Sequence, residues 1–271
     1  MKTAYYLSLP VVIGAVFSHR MAVRLSGTEP VHWATWPVLA LVVWAIYTAD
    51  RLLDIRRADG PTTPRHQFHR NNANLLWRVV AGATVLAGGL ALFLPGGVIR
   101  FGVVLGLVCG VYLLIVFQLP ARHPALLLKE PLVALLFSAG IWGSVWAQRP
   151  AISGNELAEA GLFLLICAQN LLLFSVFEWR ESPQQSSFSI ATAWGFGTCD
   201  VVLRWLTVLV VVGAISLCFL TDDRFAQRAA LMLALMSTVL YAIQRYPVWF
   251  LKNERYRWLG DLVFWMPVLV L

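Results

Sequence analysis

Two carboxylates four residues apart, Asp50 and Asp54, close an apolar run of nearly transmembrane length, VHWATWPVLALVVWAIYT. On a helix that spacing puts both side chains on one face, where like charges repel by roughly 0.2–0.5 kcal/mol and anions also oppose the macrodipole at the C-terminal end. A positive charge therefore belongs between them. The simplest supply is local: Arg57 pairs with Asp54 and water solvates Asp50, a common arrangement for juxtamembrane charge. The chemically richer reading is a divalent cation with a phosphate. Mg²⁺ takes one or two carboxylates, keeps several waters and completes its shell with substrate phosphates. Arg56, Arg57, Arg65 and Arg70 follow in sequence as candidate phosphate partners.

A second pair, Glu178 and Glu181, follows the apolar run 157–177. Three apart on a continuing helix, these two also share a face. Alone they read as a solvated helix end around Arg180. Carboxylate pairs at equivalent ends of the second and sixth apolar spans instead suggest a weak internal repeat of four helices, each unit carrying half of a metal site. Between the pairs, Lys129 enters the fifth span: it either snorkels to lipid headgroups or places a point charge on a diphosphate. His66 and His69 have a spacing that binds metal on a helix, but Pro61 and Pro64 just upstream predict a loop there.

The elements that must position these residues are apolar helices. Hydrophobic residues make up 59% of the 271 and charged residues only 13%, which places the chain among polytopic membrane proteins and leaves no soluble domain over. Nine apolar stretches lie near 4–19, 32–49, 77–95, 101–118, 131–148, 157–177, 202–220, 227–244 and 258–271, the first and last being short. With a cytoplasmic N-terminus, fifteen of the 21 Lys and Arg fall at or beside cytoplasmic loops, as the positive-inside rule requires. The net charge of +7 is spread over those loops and forms no nucleic-acid-binding patch. Short connections such as PGGVIR and TDDR predict antiparallel hairpins. Trp33, Trp77, Trp146, Trp249 and Trp258, near span ends, fit an interfacial belt. The four Cys (Cys109, Cys167, Cys199 and Cys218) have no metal-type spacing and read as small buried hydrophobes. No A-x-A-like site follows the first apolar run, which predicts an uncleaved first span.

Taken together the motifs resemble those of the UbiA superfamily of intramembrane prenyltransferases. The first aspartate-rich motif of that family, N-D-x-x-D-x-x-x-D, aligns without gaps on Ile46 to Asp54, retaining Asp50 and Asp54 and replacing the Asn and first Asp with Ile46 and Tyr47. The second motif, followed by a small polar residue and a Gly, aligns on Glu178, Glu181, Ser189 and Gly195, with Ser182 at a position that is often acidic. Lys129 stands where the family tends to have a lysine, and Arg65 follows the first motif as its basic residue. The resemblance covers most of the chain and implies one UbiA-like domain over residues 1–271: an all-α membrane bundle of about nine helices with a cytoplasmic-side cavity, in a bacterial inner membrane. It further implies Mg²⁺ held by Asp50, Asp54, Glu178 and Glu181, with Arg65 and Lys129 on a prenyl diphosphate. A lipophilic or aromatic acceptor held in the helical cavity would receive the prenyl group. A UbiA-like protein that binds an isoprenoid or quinone without turnover is the competing reading. A small transporter fits less well, because the acidic residues lie at one membrane face and no discontinuous helix pair is evident.

Overall fold

The computed structural model describes residues 2–55, 64–120, 123–181, 183 and 188–271. Arg56, Arg57, Pro61 and Ser182, each given a place in the sequence reading, lie outside the described residues. The described chain is helical throughout, in the order α1 (Lys2–Tyr6), α2 (Leu9–Leu25), α3 (Thr35–Asp54), α4 (Pro64–Asn71), α5 (Ala73–Ala91), α6 (Gly96–Gln118), α7 (Lys129–Trp146), α8 (Gly154–Glu181), α9 (Ile190–Leu220), α10 (Arg224–Arg245), α11 (Pro247–Leu251) and α12 (Arg255–Leu262). Short 3₁₀ turns at Pro124–Leu128 and Lys252–Glu254 lead into α7 and α12, and a third, Val263–Leu269, prolongs α12.

Among the described residues, seven helical segments are long and apolar enough to cross a membrane, and the chain is an integral membrane protein. They are α3, α5, α6, the 3₁₀ turn with α7, α8, α9 and α10. The two remaining stretches of the expected nine are α2, of 17 residues, and the closing α12 with its 3₁₀ extension. The first apolar stretch is not one rod, because Ser8 adopts a left-handed backbone, φ 56°, between α1 and α2.

Local chemistry sets several boundaries. Ser189 caps α9 in a capping box: its hydroxyl accepts from the Thr192 amide while the Thr192 hydroxyl accepts from the Ser189 amide. The connection left between the expected spans at 157–177 and 202–220, residues 178–201, is accordingly shorter, and α9 starts at Ile190, with a kink at Gly195, φ 81°, ψ 160°. That conformation is open to glycine and strained for other residues. Asp223 caps α10 by accepting from the amides of Phe225 and Ala226. The loop expected around His66 is also a helix: Pro64 stands at the first position of α4, where a missing N–H costs nothing and the fixed φ suits the helix.

The core centres on α8, which packs against α7, α9 and α10. Phe163, Ile166, Leu173 and Phe177 of α8 are fully buried with Trp142 of α7, Leu233 and Met236 of α10 and Tyr256 of α12. Gln169 ties the same helices together through polar contacts, donating to Thr207 at 2.9 Å and accepting from Ser237 at 2.6 Å. By contrast α6 is peripheral, with Val103, Val104, Leu107, Val108, Val111 and Leu114 exposed as a lipid-facing surface. Trp33, Trp249 and Trp258 are exposed, whereas Trp77 and Trp146 are half-buried. Cys109, Cys167 and Cys199 are buried and Cys218 is intermediate, all as free thiols.

At Gly260, α12 docks on α8 so closely that an added Cβ would overlap the Phe174 ring and lie 2.8 Å from Asn170 Oδ1. Gly260→Ala is expected to lower stability by roughly 1–3 kcal/mol through overpacking. Thermal unfolding of the detergent-solubilised protein measures it, and an unchanged midpoint would show that the α8–α12 contact yields freely.

Candidate functional site

Helices α3 and α8 end at the same charged cluster, and each delivers its acidic pair there. At the end of α3, the Lys129 ammonium stands 3.8 Å from Asp50 Oδ1 and 3.6 Å from Asp54 Oδ1, and Arg51 reaches Asp54 at 3.9 Å. The cation required by the i, i+4 carboxylates is thus supplied from the first residue of α7, after a turn capped by His123, whose ring accepts from the Ala125 amide. A cavity of about 10 Å³ lined by Asp50, Leu53, Asp54, Leu113, Val116 and Phe117 adjoins this pair. That is about the room one water needs.

At the end of α8, a residue that sequence reasoning had not singled out holds the second pair. Arg257 of α12 approaches Glu178 at 2.9 Å, Glu181 at 3.9 Å and Glu254 at 3.6 Å, with only 7% of its own side chain exposed. Tyr256 completes the arrangement: its hydroxyl donates to Glu181 at 2.9 Å and accepts from Arg257 Nε at 2.8 Å. Burial, the largest single influence, works against the Arg257 charge, but its neighbours together, Glu178 foremost, outweigh it and hold the guanidinium above its usual range. The clue available in the sequence was NERYRWLGD, a charged run before the last apolar stretch on the side assigned to both acidic motifs.

Arg51 and Arg65 join the two halves. Arg51 interacts electrostatically with Asp50, Asp54 and Glu178. Arg65, half-buried on α4, is pushed down to about 10 by burial and then by repulsion from Arg51 and Arg257. An anion placed among these cations would relieve that repulsion. Tyr47, in place of the motif's first Asp, lies within electrostatic reach of Asp50, Arg51 and Asp261. The structure therefore brings together the six residues to which the resemblance gives a role, Asp50, Asp54, Arg65, Lys129, Glu178 and Glu181.

The histidine pair is occupied differently. His69 Nδ1–H donates to the Arg65 carbonyl at 2.9 Å, and no group of three or more His, Cys, Asp or Glu among the described residues is placed to hold a metal. Arg70 is exposed on the same helix. A second cavity, of about 500 Å³ and lined by Val16, Phe17, Arg20, Glu29, Val31 and Trp36 among others, lies toward the opposite end of α3, away from both acidic pairs.

The chain superposes on the apo structure of a UbiA homolog from Aeropyrum pernix K1 with a TM-score of 0.66 at 13% identity, covering 96% of this chain and 97% of that one. The protein has a UbiA-like fold. No protein-family model and no curated protein sequence matches the chain. Ser189 and Gly195, which align with the tail of the second UbiA motif, are the cap and the kink of α9.

Burial, followed by Arg65 and Arg51, pushes His66 down to about 4 from the usual 6.5. Between those values the unfolded chain binds a proton that the folded chain refuses, so stability should fall as pH drops from about 6.5 toward 4. His66→Gln removes one such group. Unfolding midpoints measured from pH 7 to pH 4 are expected to fall less steeply for the variant, and parallel curves would reject the assignment.

Proposed function

We propose that the protein is a Mg²⁺-dependent intramembrane prenyltransferase, moving a prenyl group from a prenyl diphosphate to a lipophilic or aromatic acceptor at the cytoplasmic face of a bacterial inner membrane. The observation that carries this is the gathering of Asp50, Asp54 and Lys129 with Arg51 and Arg65 at one end of a UbiA-like bundle. Asp50 and Asp54 fit the metal: both carboxylates converge on one point, marked by the Lys129 ammonium, and two carboxylates with phosphate and water are what Mg²⁺ accepts. When bound there, the ion neutralises charge growing on the departing diphosphate.

The residues of the chain do the rest. Lys129, 31% exposed and beyond hydrogen-bonding distance of either Asp, is free to shift onto a phosphate oxygen. Arg65 faces the same region from α4 and supplies a fork suited to phosphate. Glu178 and Glu181 hold Arg257, so that the basic wall opposite Lys129 is fixed before substrate arrives. The apolar bundle beyond the charged end excludes water from the allylic cation and takes the prenyl tail. The competing reading, a non-catalytic isoprenoid or quinone binder, is favoured by Ile46 and Tyr47, which provide no carboxylate where the UbiA motif has Asn and Asp.

Diphosphate release from prenyl diphosphates of several chain lengths, with quinone-precursor, porphyrin and lipid acceptors, tests the proposal. Release is expected to require Mg²⁺ and to fall about 100-fold or more in Asp50→Asn or Asp54→Asn, the scale for losing a group that stabilises transition-state charge. Arg65→Ala is expected to weaken diphosphate binding while leaving the unfolding midpoint near that of the wild type. Tyr47→Asp, which adds a carboxylate beside Asp50, should lower the Mg²⁺ concentration needed for half-maximal release. Binding of prenyl diphosphate with no release under any of these conditions would favour the non-catalytic reading.

A further inference from the structure

Building on the prenyl-diphosphate reading, we propose that Arg257 is the permanent cation of the second acidic pair, so that the protein binds one divalent metal ion, at Asp50 and Asp54, and none at Glu178 and Glu181.

The two acidic pairs look equivalent in sequence but differ in how they are neutralised. The ammonium at the first pair is held loosely: Lys129 sits 3.6 and 3.8 Å from its carboxylates and is 31% exposed. Both distances exceed those of a charge-assisted hydrogen bond, so a metal competing with Lys129 for these carboxylates has no short hydrogen bond of that ammonium to break. The guanidinium at the second pair is locked. Arg257 is 7% exposed, bonds Glu178 at 2.9 Å and has Glu254 on a further side at 3.6 Å.

Tyr256 adds a second restraint by bridging Arg257 Nε to Glu181, and its ring is itself wedged against Phe177 and Phe174 with centroids 4.9 and 6.0 Å apart. Gly260 packs directly on Phe174 and Asn170 of α8, so any withdrawal of α12 would forfeit that buried contact. A metal between Glu178 and Glu181 would need ligand oxygens at about 2.0–2.1 Å in near-octahedral order, directly against a buried like charge that cannot move away. Glutamate in place of aspartate in this pair is consistent with the same role, since the longer side chains span the gap to α12.

The experiment counts bound metal in the full-length protein in lipid nanodiscs, with Mn²⁺ and inorganic diphosphate as probes and free Mn²⁺ read by electron paramagnetic resonance. One Mn²⁺ per chain is expected for the wild type and none for the double variant Asp50→Asn, Asp54→Asn. Arg257→Ala frees Glu178 and Glu181 and is expected to raise the count to two, returning to one when Glu178→Gln is added. Two Mn²⁺ in the wild type would overturn this inference while leaving the metal-dependent reading intact. No Mn²⁺ in the wild type would overturn both. A count of one that survives loss of Asp50 and Asp54, or that stays at one in folded Arg257→Ala, would also overturn it. Should Arg257→Ala fail to fold, the wild-type count and the Asp50, Asp54 double variant still decide.

Discussion

Charge at the end of an apolar bundle must be neutralised before it can be buried, and this constraint governs how the helices of this protein meet. An isolated guanidinium moved into a low-dielectric site carries a penalty of several kcal/mol after relaxation, and removing one partner of a buried pair typically costs roughly 3–5 kcal/mol. Arg257 escapes that penalty only because Glu178 and Glu254 reach it while Tyr256 carries its Nε contact on to Glu181. The end of α8, the Lys252–Glu254 turn and the start of α12 are therefore locked to one another by charge as well as by packing. Lys129 does the same job more loosely between α7 and α3.

The two clusters divide the labour of the site. One grips its cation: Arg257 is 7% exposed and hydrogen-bonded, beside a Tyr256 ring packed on Phe174 and Phe177. The other holds the more exposed Lys129 at longer ion-pair distances and adjoins a cavity able to take about one water. A rigid half beside an adaptable half suits a ligand whose charged head must be gripped and released, because only the adaptable half has to rearrange. Arg65 and Arg51, which bridge the halves, repel Arg257 and leave a region where an anion is welcome.

The rest of the bundle holds these groups in register. Helix α8 is buried along most of its length and carries the polar contacts of Gln169 to α9 and α10, so its end is the best-anchored point of the site. The peripheral α6 shows the opposite pattern, with aliphatic side chains facing outward along its length. The charges of the site thereby lie at the end of a structure whose sides are suited to hydrocarbon.

Periodicity and composition alone determined the class of fold, the approximate apolar spans and the sharing of a face by Asp50 with Asp54 and by Glu178 with Glu181, because each depends on residues within a few turns of one another. The resemblance to UbiA motifs was also legible in the sequence, as were Lys129 and Arg65. Other local rules were outvoted. Pro61 and Pro64 suggested a loop around His66, yet Pro64 opens α4, and the connection left between the expected spans, residues 178–201, gives way to a capped, kinked α9 from Ile190. Only the tertiary structure decided that Arg257 and Tyr256 complete the second acidic pair, since a pairing across 75 residues leaves no periodic trace. Which cation neutralises which carboxylate is a property of how α3, α7, α8 and α12 converge, and the burial of Arg257 makes its pairing with Glu178 obligatory, because a guanidinium out of contact with water must find its counter-charge in the protein.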